Sequence, residues 1–140
     1  MKNIIIFSGL IVLMSCAKDT NSLCGDYLSV KLNESKTVKI GVDEQTLIQL
    51  IRLEDNRCPQ DLICIRAGEV FVDLRINNDE VLNFCLGDCM NRNKGYVQAD
   101  TLLASVNNEE VNVVLRAAYS DASSTGVIPP TACFEVVFNE

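Results

Sequence analysis

Val70-Phe71-Val72-Asp73-Leu74-Arg75-Ile76 places an aliphatic residue at every second position. Successive side chains of an extended chain point to opposite faces, so Val70, Val72, Leu74 and Ile76 share one face and Phe71, Asp73 and Arg75 the other. The stretch predicts a half-buried strand. The same period of two recurs at Leu28, Val30 and Leu32 around Ser29 and Lys31, and at Phe134, Val136 and Phe138 around Glu135 and Val137. Further strands are expected over 37–42, 46–54, 81–85, 96–99 and 111–119. Turn chemistry divides them at Asn33-Glu34-Ser35, Asn77-Asn78-Asp79, Leu86-Gly87-Asp88 and Asn107-Asn108-Glu109, with a longer loop over 120–130. Only 101–106 and 43–46 read as short helices. Strands at spacings of about ten residues predict an all-β fold: a single antiparallel β-sandwich, immunoglobulin-like in outline, with about seven to nine strands and disulfide bracing. A lipocalin-like barrel is the alternative, though it calls for longer and more regular hairpins.

With 140 residues the chain has room for one sizeable core. Twelve Lys and Arg stand against nineteen Asp and Glu, a net charge of -7, and no basic run could track phosphates. Nucleic acid is therefore not an expected partner. There is no histidine, which excludes Ser-His-Asp and Cys-His nucleophile pairs, His-Glu-x-x-His zinc sites and any imidazole acid or base.

The chain starts Met1-Lys2-Asn3, continues through a largely apolar stretch at 4–14, and reaches Ser15-Cys16. As a helix that stretch is about 16 Å long, roughly half the hydrocarbon core of a bilayer. It predicts an export leader rather than a membrane span. Leu13-Met14-Ser15-Cys16 resembles the bacterial lipoprotein box, with Met14 where a small or β-branched residue is more usual. The resemblance implies cleavage before Cys16 and acylation of that cysteine, palmitate included, so that Cys16 ties the protein to a membrane. The chain then divides into a leader at 1–15, the lipidated Cys16 with a polar tether at 16–24, and a β-sandwich domain at 25–140. In lipoproteins of enteric type an Asp after the cysteine retains the protein at the inner membrane; Ala17 stands there instead, so the resemblance implies the outer membrane of a bacterial envelope, on its periplasmic or cell-surface leaflet.

Seven cysteines are an odd number for an exported chain. With Cys16 acylated, Cys24, Cys58, Cys64, Cys85, Cys89 and Cys133 remain, and six cysteines allow about fifteen connectivities. Cys58 and Cys64 bracket a loop just long enough to close on itself, and Cys85 and Cys89 bracket a short turn, so local closure is favoured at both. Elimination then pairs Cys24 with Cys133, a long closure that stabilises by about 4 to 5 kcal/mol in the chain-entropy model. The rival is a zinc site of Cys58, Cys64, Cys85 and Cys89, but its spacings are loose and export favours oxidation over thiolate ligation. No metal and no cofactor are expected. The absence of Cys-x-x-Cys also gives no support to a redox-active pair.

Leu53-Glu54-Asp55-Asn56-Arg57-Cys58-Pro59-Gln60-Asp61-Leu62-Ile63-Cys64-Ile65-Arg66-Ala67-Gly68-Glu69 is the most distinctive segment. It resembles a motif of small bacterial lipoproteins and secreted β-domains, Glu-Asp-Ser-Arg-Cys-Pro, a short variable stretch, then Cys-x-Trp-Ala-Gly-Glu. Asn56 stands where that motif has Ser and Arg66 where it has Trp. The resemblance implies a β-domain and an envelope location, and no activity. Physically, Pro59 ends a strand, Asp55 can accept backbone N–H bonds, Arg57 can bridge to Glu54 or Asp61, and Gly68 permits a bulge or close backbone approach. Asp55, Arg57, Pro59, Asp61 and Arg66 are thus the candidates for a partner site on a stiffened loop.

Other chemistry has weaker support. Glu54 with Asp55, and Glu109 with Glu110, are neighbouring acids of the kind that usually solvate a surface, and a small domain without tryptophan makes a poor sugar cleft. Asp55, Asp61 and Asp88 offer hard oxygens for calcium without an Asp-x-Asp-x-Asp-Gly loop. The serines and threonine of 120–126 lack a histidine base, and that loop reads as flexible and solvent-facing. The expected function is a non-enzymatic structural or protein-binding lipoprotein module with an envelope protein as partner. The alternatives are an envelope protease inhibitor using the braced 55–66 loop, and a small-ligand carrier or minor hydrolase.

Overall fold

In a computed structural model of the chain, residues 23–40, 45–120 and 129–138 are described. Cys16, the leader and most of the tether lie outside them, as does most of the 120–130 loop. Among the described residues the alternating stretches form β1 (Leu28–Lys31), β2 (Ser35–Lys39), β3 (Gln45–Asp55), β4 (Glu69–Ile76), β5 (Glu80–Asp88), β6 (Tyr96–Val97), β7 (Asp100–Val106), β8 (Glu109–Tyr119) and β9 (Thr131–Phe138). They make two antiparallel sheets, one ordered β1-β9-β8-β7 and the other β2-β3-β4-β5-β6. This is the expected disulfide-braced sandwich, immunoglobulin-like in outline. Its two sheets keep separate edges, which rules out the barrel. Within that outline nearly every strand pairs with its neighbour in sequence, and the chain changes sheet after β1 and again after β6.

The core lies between the sheets and is filled by the residues whose alternation predicted it. Val70, Val72, Leu74 and Ile76 are all buried, and so are Leu82, Phe84 and Leu86 on the neighbouring strand. Val111, Val113, Leu115, Ala132 and Phe134 supply the opposite wall. The rings of Phe84 and Phe134 meet across the sheets with centroids 5.6 Å apart. Bulges between Leu50 and Arg52 in β3, and between Leu115 and Ala117 in β8, re-phase each strand. Leu115 and Ala118 therefore both face inward although they are three positions apart.

Four expectations need correction. Residues 101–106 are not helical but lie in β7, paired with β8 from Asp100↔Leu115 to Val106↔Glu109. A helix that short is marginal alone, whereas pairing with β8 satisfies the backbone groups on that side of β7 and buries Ala104 and Val106 on alternate positions. The same ladder logic applies at 43–46, where Gln45 and Thr46 belong to β3 and the first two residues lie outside the described set. Leu86-Gly87-Asp88 is not a turn but the end of β5; the chain reverses after it, through a 3₁₀ turn at Met90–Arg92. The strand expected at 96–99 shrinks to the two residues of β6.

All three disulfides form, the two local ones as spacing suggested and Cys24–Cys133 as elimination did. Cys24–Cys133, Cys58–Cys64 and Cys85–Cys89 have Cα atoms 5.4, 5.9 and 6.1 Å apart. The proposed zinc ligands are consequently spent as two disulfides, since ligation requires free thiolates. No helix of the described residues is long and apolar enough to cross a membrane.

Candidate functional site

The β3–β4 connection gathers most of the sequence-derived site residues. Its ladder continues past the end of β3: Asn56 N–H donates to the Glu69 carbonyl and Cys58 N–H to the Ala67 carbonyl, each at 2.8 Å. Such close limbs leave no room for a side chain at Gly68. Its φ is 75°, and an added Cβ would lie 2.1 Å from the Asn56 carbonyl oxygen and 2.8 Å from Arg57 Cα. Gly87 in β5 fits under this stem in the same way, its absent Cβ only 2.5 Å from the Gly68 carbonyl oxygen. That oxygen accepts the Asp88 N–H at 2.8 Å. The close backbone approach expected at Gly68 is therefore against Asn56 and Arg57, and Gly87 stacks in turn against the Gly68 carbonyl.

Charge fixes the stem to the other sheet. Arg57 grips Asp55 with two prongs, Nε to Oδ1 at 2.8 Å and Nη2 to Oδ2 at 2.5 Å, and the Arg57 N–H also donates to Oδ1 at 3.1 Å. From β8, the Ala118 carbonyl accepts from Arg57 Nη2 at 2.7 Å, and just beyond that strand the Ser120 hydroxyl donates to Asp55 Oδ2 at 2.7 Å. Burial alone would raise the Asp55 carboxyl. The hydrogen bonds from Arg57 and Ser120 outweigh it and hold the group below its ordinary value. The hydrogen bond to Asp55 raises the Arg57 guanidinium correspondingly. The expected bridge from Arg57 to Glu54 or Asp61 is thus replaced by one to Asp55, because Glu54 points to the opposite face of β3, where it lies 3.8 Å from Arg52.

On the return limb Arg66 Nε reaches Asp88 Oδ2 at 2.8 Å, and this hydrogen bond raises the Arg66 guanidinium. Pro59 opens the turn at the tip, its carbonyl accepting the Leu62 N–H at 3.1 Å, and Asp61 is exposed beside it. Asp55 and Arg57 are therefore brought together, while Arg66 is paired elsewhere and Asp61 stands apart. The three acids considered for calcium do not converge: Asp55 and Asp88 each hold an arginine, and no metal-holding group of His, Cys, Asp or Glu occurs among the described residues. Glu54 and Asp55 face opposite ways, and Glu109 with Glu110 sit at the far end of the sandwich, exposed.

The residues that sequence reasoning missed are apolar. Leu62 is 63% exposed, and Ile63 and Ile65 are 104% and 105% exposed, as bare as in an extended peptide. Tyr96, paired in register with Asp88, is exposed at the same end, and both Tyr96 and Tyr119 lie close enough to Arg57 to act on its charge. The available signal was two isoleucines flanking Cys64, in a stretch with no period, where no strand or helix could bury them. No family model, no curated protein and no solved structure matches the chain.

Proposed function

We propose that this protein is a non-enzymatic, lipid-anchored module of the bacterial envelope that binds another protein through the loop at 56–68. The observation that carries the reading is a stiff loop with bare apolar side chains at its tip: Leu62, Ile63 and Ile65 are exposed on a segment closed by Cys58–Cys64. Apolar side chains held out in water by a rigid scaffold favour association with a complementary surface. The lack of imidazole and the engagement of Asp55 and Asp88 by arginines support binding over catalysis. The leader and the box ending at Cys16 support acylation, and Ala17 after it supports the outer membrane. Fully extended, the chain from Cys16 to Cys24 spans at most about 28 Å, which would keep the domain close to its membrane.

A photoreactive amino acid at position 63, compared with one at Asn108 in the β7–β8 turn, tests the reading in intact envelopes. A protein adduct is expected from 63 and none from 108. Labelling that does not distinguish the two positions counts against it. Metabolic labelling with a palmitate analogue tests the anchor: incorporation should vanish in Cys16→Ala.

A further inference from the structure

We infer that the tip is a substrate mimic: Ile63-Cys64-Ile65 enters the active-site cleft of an endopeptidase with an aliphatic specificity pocket and blocks it. This rests on the loop being the binding surface proposed above, and it names the class of partner.

Three features converge. Ile63 and Ile65 are fully exposed while Cys64 between them is tied to Cys58, so the segment offers two β-branched side chains flanking a fixed residue. Among the described residues no hydrogen bond engages Ile63 or Ile65, which leaves their N–H and C=O groups available. Chains that add to an exposed strand edge dock through just such backbone groups, with alternate side chains filling pockets. The segment is also already ordered by the Cys58–Cys64 disulfide, the Asp55–Arg57 pair bonded to Ala118, the Arg66–Asp88 pair and the Gly68–Gly87 stacking. Little freedom remains to be lost on binding.

The same features disfavour other occupants. Free backbone groups are costly in hydrocarbon, and the charged Asp61 and Arg66 flank the apolar residues, so a bilayer is a poor host. A convex tip also buries little against a second convex tip. A cleft lined with backbone donors and acceptors suits it.

The test titrates the full chain, in detergent, against an elastase-type serine endopeptidase and a trypsin-type one, whose pockets accept small aliphatic and cationic residues respectively. The elastase-type enzyme should be inhibited at about micromolar concentration or below. Ile63→Asp and Ile65→Asp should each weaken inhibition by roughly a hundredfold, as loss of a central anchor does. Leu103→Asp, at an exposed apolar position on β7, should leave it unchanged. Circular dichroism checks that each variant folds. Failure to inhibit at about 10 µM, inhibition of the trypsin-type enzyme alone, or cleavage of the loop at the rate of a linear peptide overturns the inference. So does binding to phosphatidylethanolamine–phosphatidylglycerol vesicles that Ile63→Asp abolishes, with no inhibition. A crosslink from position 63 to a protein that is not a peptidase, without inhibition, overturns this inference and leaves the binding reading standing; no crosslink at all removes both.

Discussion

The two ends of the sandwich solve the same problem, joining antiparallel strands, by opposite means. At one end β4–β5 and β7–β8 turn through Asn77-Asn78 and Asn107-Asn108, with φ of 48°, 66°, 52° and 65°. Two successive positive values are what a type I′ hairpin turn requires, and asparagine reaches them more readily than most residues. Pairing persists almost to the turn, to Val106↔Glu109 in one hairpin and Ile76↔Glu80 in the other. At the opposite end β3 and β4 are joined by residues 56–68, which require a disulfide, two arginine–carboxylate pairs and two glycines in contact. Joining strands needs only the first solution. The second makes sense where a loop must hold a shape, and the bare isoleucines at its tip indicate that the shape serves something outside the domain.

The largest expected effect separates bracing of the whole fold from bracing of the loop. Replacing both Cys24 and Cys133 by alanine removes a buried link between residues 109 apart in sequence. The chain-entropy model gives a loss of about 4 to 5 kcal/mol, against about 2 kcal/mol for removing Cys58–Cys64. Urea unfolding of both double variants measures the difference. Equal losses would mean that the 58–64 link also supports the core, and the contrast between the ends would fail.

Next comes the glycine stack. Gly68→Ala combines a left-handed backbone with a collision against Asn56 and Arg57 and should cost about 3 kcal/mol. Gly95→Ala has a similar φ of 68° and nothing within 4 Å of the new Cβ, so about 1 kcal/mol is expected. If thermal unfolding finds the two alike, the limbs of the loop are not held as close as Asn56 and Gly68 indicate.

Legibility in the sequence followed the same division between the ends. Strands such as β4 could be read because Val70 through Ile76 carry a period of two, and the Asn-Asn turns because their chemistry is local. β7 could not, because Leu102-Leu103-Ala104 are good helix formers and only pairing with β8 decides the matter. Gly87-Asp88 looked like a turn for a similar reason: what places Gly87 in a strand is its pairing with Glu69, far away in sequence. At the site, Asp55, Arg57 and Arg66 could be named from the motif, but their partners could not. Ala118, Ser120 and Asp88 are brought there by the packing of the sheets.

A smaller effect sharpens the electrostatic part of the comparison. Because the Asp55 carboxyl is held below its ordinary value in the folded protein, its contribution is complete at neutral pH. It is lost as pH falls below about 4 and passes through the lowered folded value. Asp55→Asn should therefore cost about 1 kcal/mol at neutral pH, a figure kept small by solvent screening of the partly exposed Arg57. The difference from the unmodified protein should close in strong acid. A gap that widens on acidification would reverse the sign and remove the Asp55–Arg57 pair as a brace of the loop.

The smallest expected effect bears most directly on what the loop is for. Ile63 has no surface left to lose, so Ile63→Asp removes no packing and should change unfolding free energy by less than about 0.5 kcal/mol. The same substitution at Val72, fully buried beneath the same hairpin, should prevent folding. A residue whose replacement leaves the fold untouched but abolishes association has its role outside the domain, and that is the combination expected at Ile63. If Ile63→Asp instead destabilised the protein by more than about 1 kcal/mol, the isoleucine would have to pack on its own domain in solution. The bracing of the 56–68 loop would then serve the domain itself rather than something outside it.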